Sequence, residues 1–477
     1  MELNREKLNL PKYPEKIIQF GEGNFLRSFI DWQIDILNKN AGLNAGVVVV
    51  RPIDTNQPLL DTQDGLYTSI IRGINEKGDV VKDYRIISSV NREIPIYKEY
   101  GEYLNLARNP DIRFIFSNTT EAGIAWSDKD KYDDAPPATY PAKLTRLLHE
   151  RFTAFSGAKD KGFILLPCEL IDYNGIELKR IVFLYADLWK LGDEFKKWLE
   201  ESNIWCSTLV DRIVTGYPKA EKETLEKELG YHDAFMTTGE YFYLYVIQGP
   251  KELLTKELHL DKVNLNIVIT EDLKPYKLRK VGILNGAHTS MVPVAYLYGV
   301  DTVREAMENE EIRSFVLQEA DEEIIPAIDM DKTELHQFKN DVVKRFQNPY
   351  VKHMLLDISL NSMSKYKTRI LPQVLETQKR TGKVPKRLAF ALAALIRFYK
   401  GVRENGDPIP LKDDKVFLDL YAELWKTKDY RKIAETVLGL KDHWDLDLNT
   451  IPGFTDTVAG YLEKIDTEGV KKALREI

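Results

Sequence analysis

Three polar residues in one short stretch, Lys280, Asn285 and His288, have the types and spacing needed for proton transfer at an alcohol or ketone. Removing a hydride from a secondary alcohol requires a base for the hydroxyl proton and donors that steady the oxygen as it becomes alkoxide-like. A desolvated lysine suits the first task, an asparagine amide suits the second, and a histidine can orient the hydroxyl or the lysine. In an α-helix, about 100° per residue places the three at roughly 0°, 140° and 80°, within one face. The same residue types also occur as a surface charge, a turn residue and a structural histidine, so the triplet alone leaves both interpretations open.

The elements that must position this triplet are predicted to be helices. After about Lys274, stretches with helical spacing dominate: 302–322, 332–346, 385–400 and 415–425. Residues 275–477 are therefore predicted to form a mostly α-helical carboxy-terminal domain. Gly282 and Gly286 lower helix stability, so they predict close approach by a ligand or another backbone.

The first half alternates short β-rich runs with helical stretches, which is typical of a parallel sheet with crossover helices. A strand at 16–20, a helix at 25–38 and a strand at 46–50 form a predicted βαβ unit. A hairpin is predicted from 66–72 and 80–88, with further strands at 112–117, 163–166 and 240–248. Residues 1–274 are therefore predicted to form an α/β, Rossmann-like dinucleotide-binding domain.

A glycine-rich turn at the end of the first strand is the predicted cofactor site. Its members are Phe20, Gly21, Gly23, Asn24 and Phe25. The turn opens the first long helix, where a pyrophosphate can meet free backbone N–H groups. Leu26 replaces the third glycine of G-x-G-x-x-G, so the motif is imperfect and an ordinary turn is an equal alternative.

The choice between NAD and NADP depends on the residues after the second strand. An acidic residue there binds the ribose hydroxyls of NAD, and Asp54 can do so. Arg51 can equally meet the 2′-phosphate of NADP or be a surface arginine. NAD is predicted, and NADP is not excluded.

Composition excludes several classes of protein. The chain has 477 residues, with 43% hydrophobic and 30% charged, which is typical of a folded protein with two domains. No apolar run is long enough for a membrane span, and 388–396 is predicted to be a buried helix. A net charge of −7 gives no reason to propose nucleic acid or an anionic membrane as a partner. Two cysteines are too few for a disulfide framework or a four-cysteine metal site, and together with the lack of a visible signal sequence they predict a cytoplasmic protein.

Six ordered stretches resemble the mannitol dehydrogenase family of polyol-specific long-chain dehydrogenases. They are Gly21-x-Gly23-x-Phe25-x-Arg27, 64–68, Thr120-Glu121-x-Gly123, 210–213, Lys280-x4-Asn285-x2-His288 and Arg345-Phe346-x-Asn348-Pro349. The resemblance implies a nicotinamide cofactor and no metal. It also implies that Lys280 is the general acid/base, Asn285 an oxyanion-stabilising amide and His288 a substrate-orienting group. Thr119, beside the third stretch, is predicted to contact the cofactor.

Two stretches depart from the polyol branch and resemble the branch that reduces D-tagaturonate to D-altronate. They are 166–171 and 356–363, and the first has Leu170 where polyol enzymes carry a second stabilising asparagine. Asn174 is a predicted substitute, with a turn role as an equal alternative. A small-molecule sugar-acid substrate needs donors for its carboxylate, and Lys365 and Arg369 are predicted to provide them, with an exposed basic helix face as the alternative. His353 is a further predicted substrate contact.

Other functions compete with this prediction. Within the family, the alternatives are a fructuronate reductase and a mannitol-type polyol dehydrogenase, which share the chemistry but differ in the pocket. A non-catalytic nucleotide-binding sensor is an alternative from another class, although the intact Lys280, Asn285 and His288 argue against it. A zinc-dependent alcohol dehydrogenase is disfavoured because the sequence has few cysteines. The sequence does not determine the oligomeric state.

Overall fold

The computed structural model describes residues 3–120 and 123–477. These residues divide into two compact units. The first extends to Arg72 and resumes at Val80–Leu273, and the second comprises Gly73–Asp79 and Lys274–Ile477. Glu121, part of the third family stretch, lies outside the described residues.

A six-stranded parallel sheet forms the centre of the first unit. Its strands are β1 (Glu15–Phe20), β2 (Gly46–Arg51), β5 (Val90–Pro95), β6 (Phe114–Ser117), β7 (Ile164–Pro167) and β8 (Ile204–Trp205), in the order β5-β2-β1-β6-β7-β8. Every residue of β2 is buried, including four consecutive valines. Such continuous β-branched runs are typical of strands covered on both faces. The strand order reverses direction between β1 and β6, which is where open α/β sheets bind ligands.

The described part of this unit also contains eight α-helices and two smaller sheets. The helices are α1 (Arg5–Leu8), α2 (Asn24–Ala41), α3 (Tyr100–Asn105), α4 (Tyr140–Ala154), α5 (Asn174–Leu188), α6 (Asp193–Glu201), α7 (Lys222–Leu229) and α8 (Lys251–Glu257). One small sheet has the order β10-β11-β3-β4, from Val214–Gly216, Thr237–Glu240, Tyr67–Ile74 and Val80–Ile87. The other has the order β13-β12-β9, from Ile267–Thr270, Leu244–Gln248 and Ser207–Asp211.

The predicted βαβ unit and hairpin are confirmed by β1, α2, β2, β3 and β4. The single strand predicted at 240–248 is wrong. The chain bends after Glu240, so β11 and β12 join different sheets. The Glu240 carbonyl accepts a hydrogen bond from Arg212 Nε, and its carboxylate accepts one from Ile213 N. These bonds anchor the end of β11 beside β10.

The second unit is mostly helical, as predicted. Its α-helices are α9 (Lys274–Arg279), α10 (Ala287–Tyr298), α11 (Val303–Glu308), α12 (Glu310–Glu319), α13 (Lys332–Phe346), α14 (Leu355–Ile358), α15 (Ser362–Arg369), α16 (Leu371–Thr381), α17 (Lys386–Phe398), α18 (Lys415–Leu424), α19 (Tyr430–Leu438), α20 (Lys441–Trp444), α21 (Phe454–Glu468) and α22 (Val470–Arg475). Two π-helical segments, Lys280–Gly286 and Ala320–Ile324, follow α9 and α12 directly.

The core of the second unit is built around α17. Every residue from Arg387 to Phe398 is buried, which confirms the buried helix predicted at 388–396. This helix packs against α10, which carries His288, and against α21. Among the described residues, no helix is long and apolar enough to cross a membrane.

Candidate active site

A π-helix carries Lys280 and Asn285, so the expected α-helical geometry of this motif is wrong. Residues Lys280–Gly286 form the π-segment, and α10 then begins at Ala287 with His288 as its second residue. A π-helix closes i→i+5 hydrogen bonds and is wider than an α-helix, which brings residues five apart closer to the same side of the helix. Lys280 and Asn285 are five apart, whereas an α-helix would separate them by about 140°. The π-segment therefore aligns the lysine and the amide on one side of the backbone.

The two glycines of this segment face side chains of the same unit. A β-carbon on Gly282 would lie 3.1 Å from Gln373 Nε2 and 3.3 Å from Ile324 Cγ2. One on Gly286 would lie 3.9 Å from Ile324 Cδ1. Ile324 belongs to the second π-helical segment. At Gly286 the backbone carbonyl oxygen of Arg369 is nearer still, at 3.7 Å, so the close approach involves another backbone at Gly286 and side chains at Gly282.

His288 is buried and packs against the rings of Phe346 and His353. Its ring stacks on Phe346 with centroids 4.2 Å apart and meets His353 edge-on at 5.2 Å. Burial lowers the pKa of His288 well below 6.5, and the neighbouring His353 and Arg345 lower it further. Within the described chain, Nε2 of His288 has no hydrogen-bond partner. A neutral imidazole with an unused nitrogen can orient a substrate hydroxyl.

A group of cations surrounds His288. Arg345, Lys365 and Arg369 all act to lower its pKa. Lys365 Nζ donates to the Ile358 carbonyl at 2.6 Å, and burial, then Arg369, lowers the pKa of Lys365. Burial also lowers the pKa of Arg369. Within residues 3–120 and 123–477, no carboxylate oxygen lies within 4.0 Å of a side-chain nitrogen of Lys365 or Arg369. The predicted contacts Lys365, Arg369 and His353 thus lie in one cationic region.

Arg369 connects this region to the π-segment. Its NH1 lies 3.4 Å from Thr289 Oγ1, and that hydroxyl donates to the Asn285 carbonyl at 2.9 Å. Arg345 was not predicted as a site residue. It is buried and precedes the Phe346 ring that stacks on His288. The Arg345-Phe346-x-Asn348-Pro349 stretch was the signal that could have identified it.

The glycine turn of the first unit is open at Gly23, where the predicted pyrophosphate contact lies. Gly21 has a φ of +112°, and a β-carbon there would lie 2.9 Å from the Asn118 carbonyl oxygen. A β-carbon on Gly23 would meet no heavy atom within 4 Å. Gly23 is the N-cap of α2 and makes no side-chain cap. The turn therefore fits a dinucleotide on its open side.

The other residues of the turn have structural contacts. Phe20 is buried at the end of β1, and Phe25 stacks on Phe29. Asn24 Oδ1 accepts a hydrogen bond from Arg27 at 2.9 Å. Leu26, at the missing third glycine, is buried in the core. An apolar contact at that position thus replaces the close helix packing that a glycine would allow.

Arg51 is committed to contacts within the first unit. Its Nε donates to Glu93 at 2.6 Å, and its NH1 and NH2 donate to the carbonyls of Gln57 and Pro58 at 2.7 and 2.9 Å. These contacts do not favour the 2′-phosphate role considered for Arg51. Asp54 is exposed in the loop that follows β2 and remains the predicted ribose contact.

The Glu169 carboxylate accepts hydrogen bonds from Ser117, at the end of β6, and from Thr119, in the loop that follows. Thr119 donates from both its backbone N and Oγ1 to Glu169 Oε1, at 3.1 and 3.0 Å, and Ser117 Oγ donates to Oε2 at 3.0 Å. Burial raises the pKa of Glu169. Thr119 thus has a structural contact beside its predicted cofactor role.

Asn174 has a structural environment. It is fully buried, and its amide nitrogen lies within 3.0 Å of the carbonyls of Pro167 and Glu169. Its Oδ1 accepts from Gly175 N and Thr208 N at 2.9 and 2.8 Å. Both ends of the amide are therefore used inside the first unit, where Asn174 is the first residue of α5, and these contacts do not favour the substrate contact predicted for it.

No group of three or more His, Cys, Asp or Glu side chains in residues 3–120 and 123–477 is arranged to hold a metal ion. Cys168 and Cys206 are both buried and unbridged. Burial raises the pKa of the Cys206 thiol to about 12, which makes it a poor metal ligand or nucleophile.

Comparison with known proteins identifies the family. Residues 15–262 match the mannitol dehydrogenase Rossmann domain, and residues 272–466 match the mannitol dehydrogenase C-terminal domain. The chain is 57% identical over 481 residues to altronate oxidoreductase of Escherichia coli (strain K12), covering 100% of this chain and 99% of that protein.

Two solved structures share the fold. The complex of Pseudomonas fluorescens mannitol 2-dehydrogenase with NAD and D-mannitol is 21% identical, with a TM-score of 0.69 over 100% of this chain and 99% of that one. A substrate-free D-sorbitol dehydrogenase is also 21% identical, with a TM-score of 0.83 over 99% of this chain and 100% of that one. The predicted fold class and oxidoreductase class are confirmed. The chain belongs to the mannitol dehydrogenase family.

Proposed function

We propose that the chain interconverts D-altronate and D-tagaturonate, with NAD as the hydride carrier. The observation that carries the proposal is the pair of half-buried cations, Lys365 and Arg369, beside His288. Desolvated cations without a carboxylate partner are unfavourable unless an anion completes the site. The carboxylate of a sugar acid is such an anion, whereas a neutral hexitol is not. The name of the 57% identical relative, altronate oxidoreductase, supports the same substrate pair.

The cofactor requirement fits the turn at Gly21 and Gly23, with Asp54 as the ribose contact. Bound NAD supplies the hydride acceptor in oxidation, and NADH supplies the hydride donor in reduction. The commitment of Arg51 to Glu93 and two backbone carbonyls favours NAD over NADP. We propose a cytoplasmic location, with the sugar acid as the partner and neither nucleic acid nor membrane involved.

Lys280, Asn285 and His288 perform the proton chemistry. In reduction, the substrate oxygen accepts a hydrogen bond from the Asn285 amide and a proton from Lys280. In oxidation, the Lys280 amine accepts the hydroxyl proton. Neutral His288 uses its unpartnered nitrogen to orient a neighbouring hydroxyl. The alignment of Lys280 and Asn285 on the π-segment lets both reach the same oxygen.

Substrate screening tests the function directly. Chelator-treated protein is mixed with NADH or NADPH and with D-tagaturonate, D-fructuronate or D-fructose, and the reduced cofactor is followed by absorbance. We expect rapid NADH oxidation with tagaturonate and no loss of activity on chelation. Turnover chiefly with fructuronate or fructose would assign another substrate within the family. No turnover with any ketose would favour a nucleotide-binding sensor.

Replacement of Arg369 tests recognition of the carboxylate. We expect Arg369→Met to raise the KM for altronate about tenfold to a hundredfold, because a hydrogen bond to a charged group contributes roughly 1.5–3 kcal/mol. Binding of NADH should not change. The matched control is Arg313→Met on α12, where the arginine is exposed. A KM equal to the wild-type value in Arg369→Met would place the carboxylate elsewhere.

A further inference from the structure

The carboxyl group of Glu319, which has no oppositely charged partner among the described residues, contacts α10, the helix that carries His288. Glu319 is the last residue of α12, and its side chain is fully buried. Its Oε2 lies 2.6 Å from the hydroxyl oxygen of Ser290, a fully buried residue of α10 two positions after His288. In the part of the chain that the structure describes, Glu319 Oε1 has no hydrogen-bond partner. Within the described residues the carboxyl group thus makes one hydrogen bond, and that bond is to α10.

The neutral acid satisfies these contacts better than the carboxylate. Ser290 Oγ also lies 3.3 Å from the Ala287 carbonyl. If Glu319 is protonated and donates to Ser290 Oγ, the serine hydroxyl proton remains available for that carbonyl. If Glu319 is ionised, Ser290 must donate to it instead, and a charge remains on a buried group with one unpartnered oxygen. Burying such a charge is costly.

The charged and titratable groups around Glu319 also favour the neutral form. Glu323, on the adjacent π-segment, accepts hydrogen bonds from the backbone N–H groups of Arg387 and Leu388. Arg387 donates to Glu322 at 2.6 Å and to Gln318 at 2.5 Å. Burial, the largest effect, raises the pKa of Glu319 well above 4.5; the hydrogen bond with Ser290 opposes it, and smaller effects of Glu323 and Arg387 raise and lower the pKa, respectively.

Neither α15 nor α22 supplies a positive charge to Glu319. Tyr366 of α15 is buried and donates to the Leu388 carbonyl at 2.8 Å. On α22, Arg475 pairs with Glu311 at the opposite end of α12. No Lys, Arg or His within the described residues lies within 4.0 Å of the Glu319 carboxyl oxygens.

Glu319 is linked to both parts of the catalytic motif. It contacts α10 through Ser290, and it immediately precedes the Ala320–Ile324 π-segment. Ile324 of that segment is the side chain that lies against Gly282 and Gly286. Movement at Glu319 would therefore displace the helix of His288 and the support of the segment that carries Lys280 and Asn285.

We propose that Glu319 is a positioning residue that holds α10 and the π-segment in place as a neutral acid, and that its ionisation sets the alkaline limit of activity. The kinetic part of this inference rests on the proposed function. Loss of the carboxyl proton to solvent leaves a charge that the packing does not accommodate, so the motif loses its alignment.

The pH profile of Glu319→Gln tests this role. The amide has nearly the same shape, can donate to Ser290 Oγ and cannot ionise. We expect kcat/KM for altronate oxidation near neutral pH to stay within about threefold of the wild-type value. In the pH profile of kcat/KM, the fall in activity at alkaline pH should shift to higher pH by about one unit or more, while the rise at lower pH should not shift. Glu322→Gln is the matched control, because Glu322 is more than half exposed. The alkaline fall in activity of this variant should occur at the same pH as in wild type.

A stability measurement tests Glu319 without any substrate. A raised pKa in the folded state means that the native protein binds the proton more tightly than the unfolded chain. The stabilising contribution of Glu319 is therefore fully present below pH 4.5. It is lost as the pH rises from there through the pKa of Glu319 in the folded protein. We expect the Tm of Glu319→Gln to exceed that of wild type by a margin that grows with pH. This readout remains valid even if altronate proves not to be the substrate.

Three outcomes would overturn the inference. One is a wild-type profile that keeps rising until the protein unfolds. Another is an alkaline limb that Glu319→Gln leaves in place, and the third is a Tm difference that does not change with pH. If Glu319→Gln does not fold, Ser290→Ala provides the test. It removes the hydrogen bond that joins Glu319 to α10, so kcat/KM for altronate oxidation near neutral pH should fall well below the wild-type value, and an unchanged kcat/KM would contradict the proposal.

Discussion

Lys280→Ala is expected to reduce kcat/KM by about 10²- to 10⁴-fold in both directions, the range that general acid–base catalysis contributes. The loss should appear in altronate oxidation and in tagaturonate reduction, because the same group accepts and donates the proton. NADH binding, measured by fluorescence, should be unchanged, because the glycine turn belongs to the first unit and Lys280 to the second. Steady-state kinetics with each substrate provide the measurement.

The conservative replacement separates proton transfer from charge. Lys280→Arg keeps a cation but cannot release its proton, since the pKa of arginine exceeds about 12. It should therefore be nearly as slow as Lys280→Ala. Lys386→Ala, at an exposed position that begins α17, is the matched control and should retain full activity. Wild-type turnover by Lys280→Arg would show that lysine acts only as a charge.

The fold was largely predictable because its elements have strong local patterns. The buried valines of β2 and the apolar run of α17 indicate strand and helix directly. The strand at 240–248 was wrong because aromatic and β-branched residues continue through the bend after Glu240. The bend depends on contacts with Arg212 and Ile213, which are distant in the sequence.

The catalytic residues were predictable as types, but their geometry was not. The spacing of Lys280 and Asn285 fits a π-turn, yet sequence periodicity assumes α-helical rotation. The π-turn is packed against Ile324, more than thirty residues away, so no local pattern could reveal it. The hydrogen bonds of Asn174 were not predictable for a similar reason, because its partner Thr208 lies 34 residues along the chain.

Asn285→Ala is expected to reduce kcat by about 10²- to 10³-fold, with a smaller change in KM, because the amide stabilises the oxygen most strongly as negative charge develops. The fold should be unaffected. The contact from Thr289 Oγ1 is to the Asn285 backbone carbonyl, which the substitution retains. Thermal unfolding should therefore give a Tm close to that of wild type. Asn340→Ala, at an exposed amide on α13, is the control for removing an asparagine and should leave kcat unchanged.

The double variant tests whether the π-turn makes the two residues one catalytic unit. If Lys280 and Asn285 act on the same oxygen, removing one misplaces that oxygen for the other, so their effects overlap. Lys280→Ala combined with Asn285→Ala should then be slower than Lys280→Ala by much less than the factor measured for Asn285→Ala alone. Losses that multiply fully would mean that the two side chains act independently. In that case the alignment produced by the π-segment would not contribute to catalysis.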